Sequence, residues 1–551
     1  MSAARRGGRF LLGLLPGRRD LTAMRRSPLR DLLAGATVAL VALPLALAFG
    51  EASGVGAQAG LVTAVLAGAI AAVFGGSNLQ VSGPTGAMTV VLVPVVHQHG
   101  VGGLLQVGAM AGVLLIVLAV TRIGRVVRYL PLSVVEGFTA GIAVVIALQQ
   151  VPHMLGVAPG DEEGVVPLAV DAVRRFVAQP DPVAPLVTVG VAAVILVGAR
   201  LVPAIPLSLL AVAIAAGVVA LGGFSVSTIG ELPPLFSAPD AAFLDPSRTL
   251  ELLPAAAAVA ALAALESLLC ATVADGMTVG ERHDPDRELL GQGLANLVVP
   301  FFGGVPATAA IARTAVNVRS GARSRLAALS HALILGTIVI VAAPLVSGIP
   351  LAALAGVLLA TTIRMIDLGA LRAIARSTWG DALVLVVTFA ITVFVDLITA
   401  VAVGFGAAAL LALRELARAA RLDRVPLEEG DHADEEARLV DEHIVAYRID
   451  GPVFFGAAHR FLHELTEVAD VHAVILRLSR VTTIDATGAR LLDDAVRALE
   501  RRGITVLVSG IRPEHHGIFQ RSGALAHLRA AGRVYPDTPE AIAAARELIA
   551  G

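Results

Sequence analysis

Between Leu32 and Thr121 the chain carries one charged residue, Glu51, in 90 positions. At roughly 20 residues per crossing, that stretch accommodates four membrane-spanning helices. Further apolar blocks fall near 131–150, 183–200, 206–222, 252–274, 287–302, 306–318, 325–346, 350–365, 381–396 and 397–415, which brings the expected total to 14. After Arg424 the pattern changes. Val425–Arg438 reads as a charged linker, and the remaining C-terminal residues alternate short apolar runs with amphipathic ones. Val445–Ile449, Val453–Phe455, Ala473–Leu478 and Ile504–Val508 read as strands; Arg460–Val468, Thr487–Arg501, 514–521 and 538–550 read as helices. Such alternation predicts a small sheet packed by helices. The expected organisation is a basic N-terminus (1–30), a membrane domain (31–420), a linker (421–440) and a soluble α/β domain (441–551).

Charge placement orients the spans. Arginines cluster at 5–30, 122–128, 200, 282–287, 313–325, 364–376 and 414–424, while the connections Asp161–Glu163 and Glu231–Glu251 are acidic. Counted from a cytoplasmic N-terminus, the long arginine-bearing connections fall on one side, so both termini are expected in the cytoplasm of a plasma-membrane protein. The apolar core Phe10–Leu15 is too short for a secretory signal.

Two spans are broken. SGPTGAMTV (Ser82–Val90) interrupts the third and GGVPATAAIART (Gly303–Thr314) the tenth. Pro84 and Pro306 lie 222 residues apart, and the same offset carries Pro44 onto Glu266. Seven spans is an odd number, so the second half must be inverted, and paired interrupted segments in an inverted repeat point to a binding site at the midplane. Helices that start there aim free N–H groups and a partial positive charge at whatever precedes them. Thr85, Gly86 and Ala87 are the expected donors on one side, and Ala307, Thr308 and Ala309 on the other. The alternative is that these small residues only permit close helix packing.

Two charges stand in this apolar setting, where an ionisable side chain is expensive and usually functional. Arg313, seven residues after Pro306, is placed to compensate an anion; its alternative is to snorkel to the interface beside Arg319 and Arg323. Glu266, within AVAALAAL-E-SLLCATVA, is placed to carry a coupling proton or to pair with Arg313; its alternative is a structural hydrogen bond. Asp275 is expected at the cytoplasmic end of the same span. Gln292 and Asn296 read as glue between helices, and His97 and His99 as span-end loop histidines without acidic partners, with a metal site as the alternative.

Composition excludes other classes. With 56% hydrophobic and 16% charged residues and a mean hydropathy of +0.80, the chain is a polytopic membrane protein. A net charge of −2 argues against nucleic acid as a partner. The single cysteine, Cys270, excludes an internal disulfide framework and a cysteine-rich metal site. There is no Walker A loop, no GxGxxG and no catalytic dyad, so neither an enzyme nor a cofactor is expected.

DLLAGATVALVALPLALAFG (Asp31–Gly50), VSGPTGAMT (Val81–Thr89), ESLLCATVADGMT, GQGLANLVVPFFGG and ATAAIARTAVNVRSGA resemble, in order, the first, third and eighth to tenth spans of the SulP anion transporters, bacterial relatives of the animal multifunctional anion exchangers. The tail, with TTIDATGARLL (Thr482–Leu492), resembles a STAS domain. The resemblance implies a 7+7 inverted repeat with core and gate domains, a homodimer, and secondary active transport of a small inorganic or carboxylate anion. ATAAIAR is closest to the bacterial C4-dicarboxylate member. Sulfate and bicarbonate are the other candidate substrates, and an anion channel or exchanger, or a non-transporting receptor signalling through STAS, stays open as an alternative. In the family's bicarbonate member an acidic residue and a hydroxyl on the eighth span hold sodium; Glu266 matches the acid, but Cys270 stands at the hydroxyl, which implies H+ rather than Na+ as the coupling ion. In related STAS domains a Ser or Thr at the position of Thr487 can be phosphorylated, so Thr487 is a candidate regulatory site, with a plain N-cap as its alternative. A cytosolic partner of the STAS domain is a further expectation.

Overall fold

A computed structural model describes residues 14–122, 124, 131–158, 160, 164–201, 207–231, 234–235, 238–278, 282–395, 397–419, 421–424, 443–453 and 471–550. The charged linker and the expected helix Arg460–Val468 lie outside the described residues.

The chain is a polytopic helical membrane domain followed by an α/β domain, divided at Phe405/Gly406. Helices occupy every expected span. The first and second are Pro28–Ala52 and Ala57–Phe74. Helix Gly86–Thr121 breaks at Gly100 (φ 69°) into a third span, 86–99, and a fourth, 101–121. The fifth to ninth are Leu132–Gln149, Val183–Leu201, Leu207–Gly222, Thr249–Gly276 and Pro285–Val298. The tenth is the nine-residue Ile311–Arg319. Arg325–Val341, Leu351–Met365, Trp379–Phe394 and Leu397–Ala419 complete the set.

The packing shows the 7+7 inverted repeat. The first span packs extensively on the eleventh, and the eighth on helix Gly86–Thr121, which carries the fourth; seven spans along, the first and eleventh become the eighth and fourth. The fifth packs on the thirteenth, and the twelfth on the sixth, again one pair seen twice. Polar caps repeat too. Asp31, opening the first span, accepts from Arg323 N (2.7 Å) and from Ser324 N and Oγ, ahead of the eleventh. Gln106, in the fourth, bonds the backbone of Asp245 ahead of the eighth (2.7 and 3.2 Å). Two amphipathic helices that the hydropathy pattern misses, Val165–Ala178 after the fifth span and Leu368–Ser377 after the twelfth, hold equivalent places. Each is too short and too charged to register as a span.

Small residues let these helices approach. A Cβ on Gly60 of the second span would sit 2.0 Å from the Ala46 carbonyl of the first. Lipid offers no hydrophobic drive for helix association, so such close backbone contact supplies much of it.

Two short strands, β1 (Ser82–Gly83) and β2 (Thr308–Ala309), belong to the membrane domain. In the α/β domain the strands are β3 (Arg421–Arg424), β4 (Ile444–Val453), β5 (Ala473–Arg477), β6 (Val481–Ile484), β7 (Thr505–Ser509) and β8 (Val534–Tyr535). The order is β3-β4-β5-β7-β8, with β6 beside β4; β3 is antiparallel and the rest are parallel. The two strands expected around Gly451-Pro452 are one strand, β4, that shifts register there. Proline removes a ladder donor without ending the strand, as at a bulge. Helix Ala486–Arg501 buries Leu492, Val496 and Leu499 on one sheet face, and Thr538–Ala550 buries Ala541, Ile542 and Ala545 on the other. Covered on both sides, the central strand β5 is apolar almost throughout.

Candidate anion site between the broken helices

The two breaks meet. Strands β1 and β2 pair antiparallel, Ser82 opposite Ala309 and Gly83 opposite Thr308. Ala310 N adds a bond to Val81 O at 3.0 Å. Backbone freed from a helix inside a bilayer must find partners within the protein, and these two segments find each other.

Neighbouring spans complete the accounting. Asn296 of the ninth span accepts from Ala307 N (2.8 Å) and donates to Ala307 O (2.9 Å). Ser267, next to Glu266, accepts from Ala309 N (3.2 Å) and shares a hydrogen bond with the Thr308 hydroxyl (2.9 Å). Gln292 donates to Ser82 Oγ (2.7 Å) and Asn317 to Leu79 O (2.7 Å). Gln292 and Asn296 are thus glue of a specific kind, holding the two breaks.

This corrects the expected donor set. The half-helices start after Thr85 and after Ala310, 225 residues apart rather than the 222 that separate the prolines. Gly86 and Ala87 therefore correspond to Ile311 and Ala312. The N–H groups of Ala307 and Ala309 are committed to Asn296 and Ser267, and Thr308 lies in β2. Proline position misled the alignment because Pro306 precedes an extended segment, whereas Pro84 immediately precedes the N-cap. Thr85 caps its helix by accepting from Met88 N (3.4 Å). At the third span a Cβ on Gly86 would lie 2.3 Å from Ile146 of the fifth, whereas Ile311 and Ala312 are exposed, so the open approach is to the tenth span.

Arg313 is 1% exposed and does not snorkel. Its Nη2 donates to the Pro84 carbonyl, across the break on the other repeat. The guanidinium lies against the bare Cα of Gly83, where a Cβ would come within 2.4 Å of Nη1. Glu266 is partly buried and accepts from the Thr85 hydroxyl at 2.9 Å. It is not ion-paired with Arg313; the arginine is held by Pro84 instead. One carboxylate, one guanidinium and two helix N-termini thus converge from both repeats. Cys270, fully buried, donates to Thr314 Oγ1 (3.2 Å), the atom that also receives Val81 N (3.0 Å).

Other candidates lie elsewhere. Asp275 accepts from the backbone and ring of His283. His99 does have an acidic partner, Glu251 at 3.1 Å, and shares it with Arg248. Thr487 is exposed in the first turn of Ala486–Arg501, but it is not the cap: Asp485 accepts from Gly488 N at 2.6 Å. An aspartate one residue before the helix takes that role with shorter reach.

Residues 29–388 match the Sulfate permease family and 437–541 the STAS domain. The chain belongs to the sulfate permease family. All the site residues from Val81 to Asn317 fall inside the first match. Among the relatives of this chain is YvdB of Bacillus subtilis strain 168, provisionally named a sulfate transporter, 34% identical over 90% of this chain and 93% of that one. Another is the bicarbonate transporter BicA of Picosynechococcus, 32% identical over 85% and 86%. The structure of the murine Solute Carrier 26 family member A9 anion transporter in the inward-facing state shares the fold, with a TM-score of 0.84, 18% identity and coverage of 98% and 95%.

Proposed function

We propose that this permease carries a small anion by proton-coupled secondary active transport, alternating access to a site between the third and tenth spans. The observation that carries the reading is the joined pair of half-helix N-termini with Arg313 and Glu266 beside it. N-terminal dipoles and a buried guanidinium favour an anion. Glu266, bonded to Thr85 at the start of one half-helix, links the protonation of a carboxyl group to that same site. Cys270, in the place of a sodium-binding hydroxyl and already engaged with Thr314, supports H+ over Na+. The names of the relatives favour sulfate or bicarbonate; C4-dicarboxylates such as fumarate and succinate remain in the same chemical range. Arginine placement supports a plasma-membrane protein with both termini in the cytoplasm, and the family resemblance supports a homodimer.

Proteoliposomes test this with an uptake panel of sulfate, bicarbonate, fumarate and succinate, with and without pH and sodium gradients. At least one anion is expected to accumulate when driven by a pH gradient, Arg313→Ala to abolish uptake, and Glu266→Gln to remove pH dependence while retaining some binding. No gradient-dependent uptake of any of the four would sink the reading. Full pH-driven uptake by Glu266→Gln would refute the coupling role alone, and current without coupled flux would make the protein a channel.

A further inference from the structure

His331, midway along the eleventh span, is fully buried, and neither ring nitrogen hydrogen-bonds to any described residue. The Ala328 carbonyl, three residues back on the same helix, approaches the ring outside hydrogen-bond geometry. On the tenth span two more side chains are in the same condition. Arg313 uses one nitrogen on Pro84 and leaves Nε and Nη1 without a partner among the described residues; Asn317 uses its amide nitrogen on Leu79 and leaves Oδ1 without one. Arg313 and Asn317 are four residues apart and so lie on one helix face, towards the 79–84 segment. His331 lies near the same segment: the bare Cα of Gly68 looks onto both Ser82 O and the His331 ring, with a would-be Cβ 3.3 Å from the first and 3.9 Å from the second.

Buried polar atoms are rarely left unpaired, and a cluster of them calls for an occupant. The chemistry of this one selects its class. A cation would meet the guanidinium, and an anion would meet the amide oxygen of Asn317. Water serves donors and acceptors together and needs two to four polar partners. We propose that Arg313, Asn317 and His331 enclose a structural water behind β1, and that His331 is through it a positioning residue for Arg313. The bond to Pro84 fixes one end of the guanidinium, and the water fixes the other. The role of His331 in transport rests on the reading of Arg313 as an anion-site residue, whereas the water does not.

Two measurements on the full-length protein test this. A density map fine enough to show buried waters should place one about 3 Å from a His331 ring nitrogen and from Arg313 Nε or Nη1. A map with waters resolved elsewhere in the membrane domain and none here would overturn the proposal. In proteoliposomes, His331→Leu should raise the KM of the carried anion about five- to tenfold with little change in maximal rate, and His331→Gln, which keeps a polar end, should restore it. An unchanged KM in His331→Leu, or equal damage in both variants, would refute the positioning role. If His331→Leu does not fold, the map and His331→Gln decide. If Arg313→Ala transports normally while the water is present, the anion-site reading fails and the hydrated cluster stands.

Discussion

Gly83→Ala puts the geometry of the site under direct strain. The added Cβ would lie 2.4 Å from Arg313 Nη1 and 3.3 Å from its Cζ, with Ala64 Cα closing the other side at 3.3 Å. Comfortable separations start near about 3.5 Å, so the guanidinium must retreat by about 1 Å. That movement breaks the Nη2 bond to Pro84 and leaves a buried cation with one fewer acceptor, a loss of about 2–4 kcal/mol. The glycine φ of 157°, in a region that favours glycine, adds to the penalty. A displacement of about 1 Å in a positioning group lowers rates about 100-fold. The assay is the initial rate of anion uptake in proteoliposomes alongside thermal unfolding in detergent, for Gly83→Ala alone and combined with Arg313→Ala. Removing the guanidinium opens the space that the Cβ needs, so Gly83→Ala should destabilise the Arg313→Ala background far less than the native one. Equal destabilisation in both backgrounds would show that the collision is not the cause. Wild-type uptake by Gly83→Ala would show that transport does not need Arg313 where the structure places it.

Thr85→Val removes both the cap on the third span and the hydrogen bond to Glu266; a stability loss of about 1–2 kcal/mol and a shift in the pH profile of uptake are expected, and an unshifted profile would separate Glu266 from Thr85. Asp20, on helix Arg18–Met24, is partly buried, which alone would raise its pKa; hydrogen bonds from Arg287 and the Gly17 N–H, with the charges of Arg325 and Arg287, outweigh burial and hold it below the ordinary carboxylate range. Its contribution to docking that helix is therefore complete above the unfolded pKa of about 3.9 and lost as pH falls through the lower folded value; amide exchange over 18–24 should accelerate only in that acid window, and Asp20→Asn should abolish the transition. Asp485→Ala should cost the STAS domain about 1 kcal/mol in thermal unfolding, whereas Thr487→Ala should cost much less.

Charge-free stretches and the two glycine-proline breaks made the spans and the inverted repeat legible in the sequence, because lipid allows few alternatives. Glu266 and Arg313 stood out for the same reason. What escaped was local. The half-helix starts were offset by three residues, since proline marks where a helix cannot continue but not how long the extended segment after it runs. The roles of Ser267, Thr314, Asn317 and His331 were hidden because short polar residues inside apolar helices commonly bond their own backbone. Only the fold shows that these four face the breaks. Helices 165–178 and 368–377 escaped because an amphipathic segment among charged loops has no membrane signature. In the tail, periodicity located the main helices and the central strands, but Gly451-Pro452 separated two expected strands and instead lies within one strand that shifts register there.

The β1–β2 pairing also sets a schedule for biosynthesis. Ser82 is made 227 residues before its partner Ala309. At about 5–20 residues per second, β1 waits roughly 10–45 s for the strand that satisfies it. During that interval the Ser82–Gly83 backbone, the Pro84 carbonyl and the start of the third span enter the membrane without β2 and Arg313, at an expense that lipid does not relieve. The nascent chain therefore needs either water or an assisting protein beside its third span until the tenth arrives, and ribosome-bound chains stalled before residue 300 should crosslink to that helper through position 83 while chains stalled after residue 360 should not.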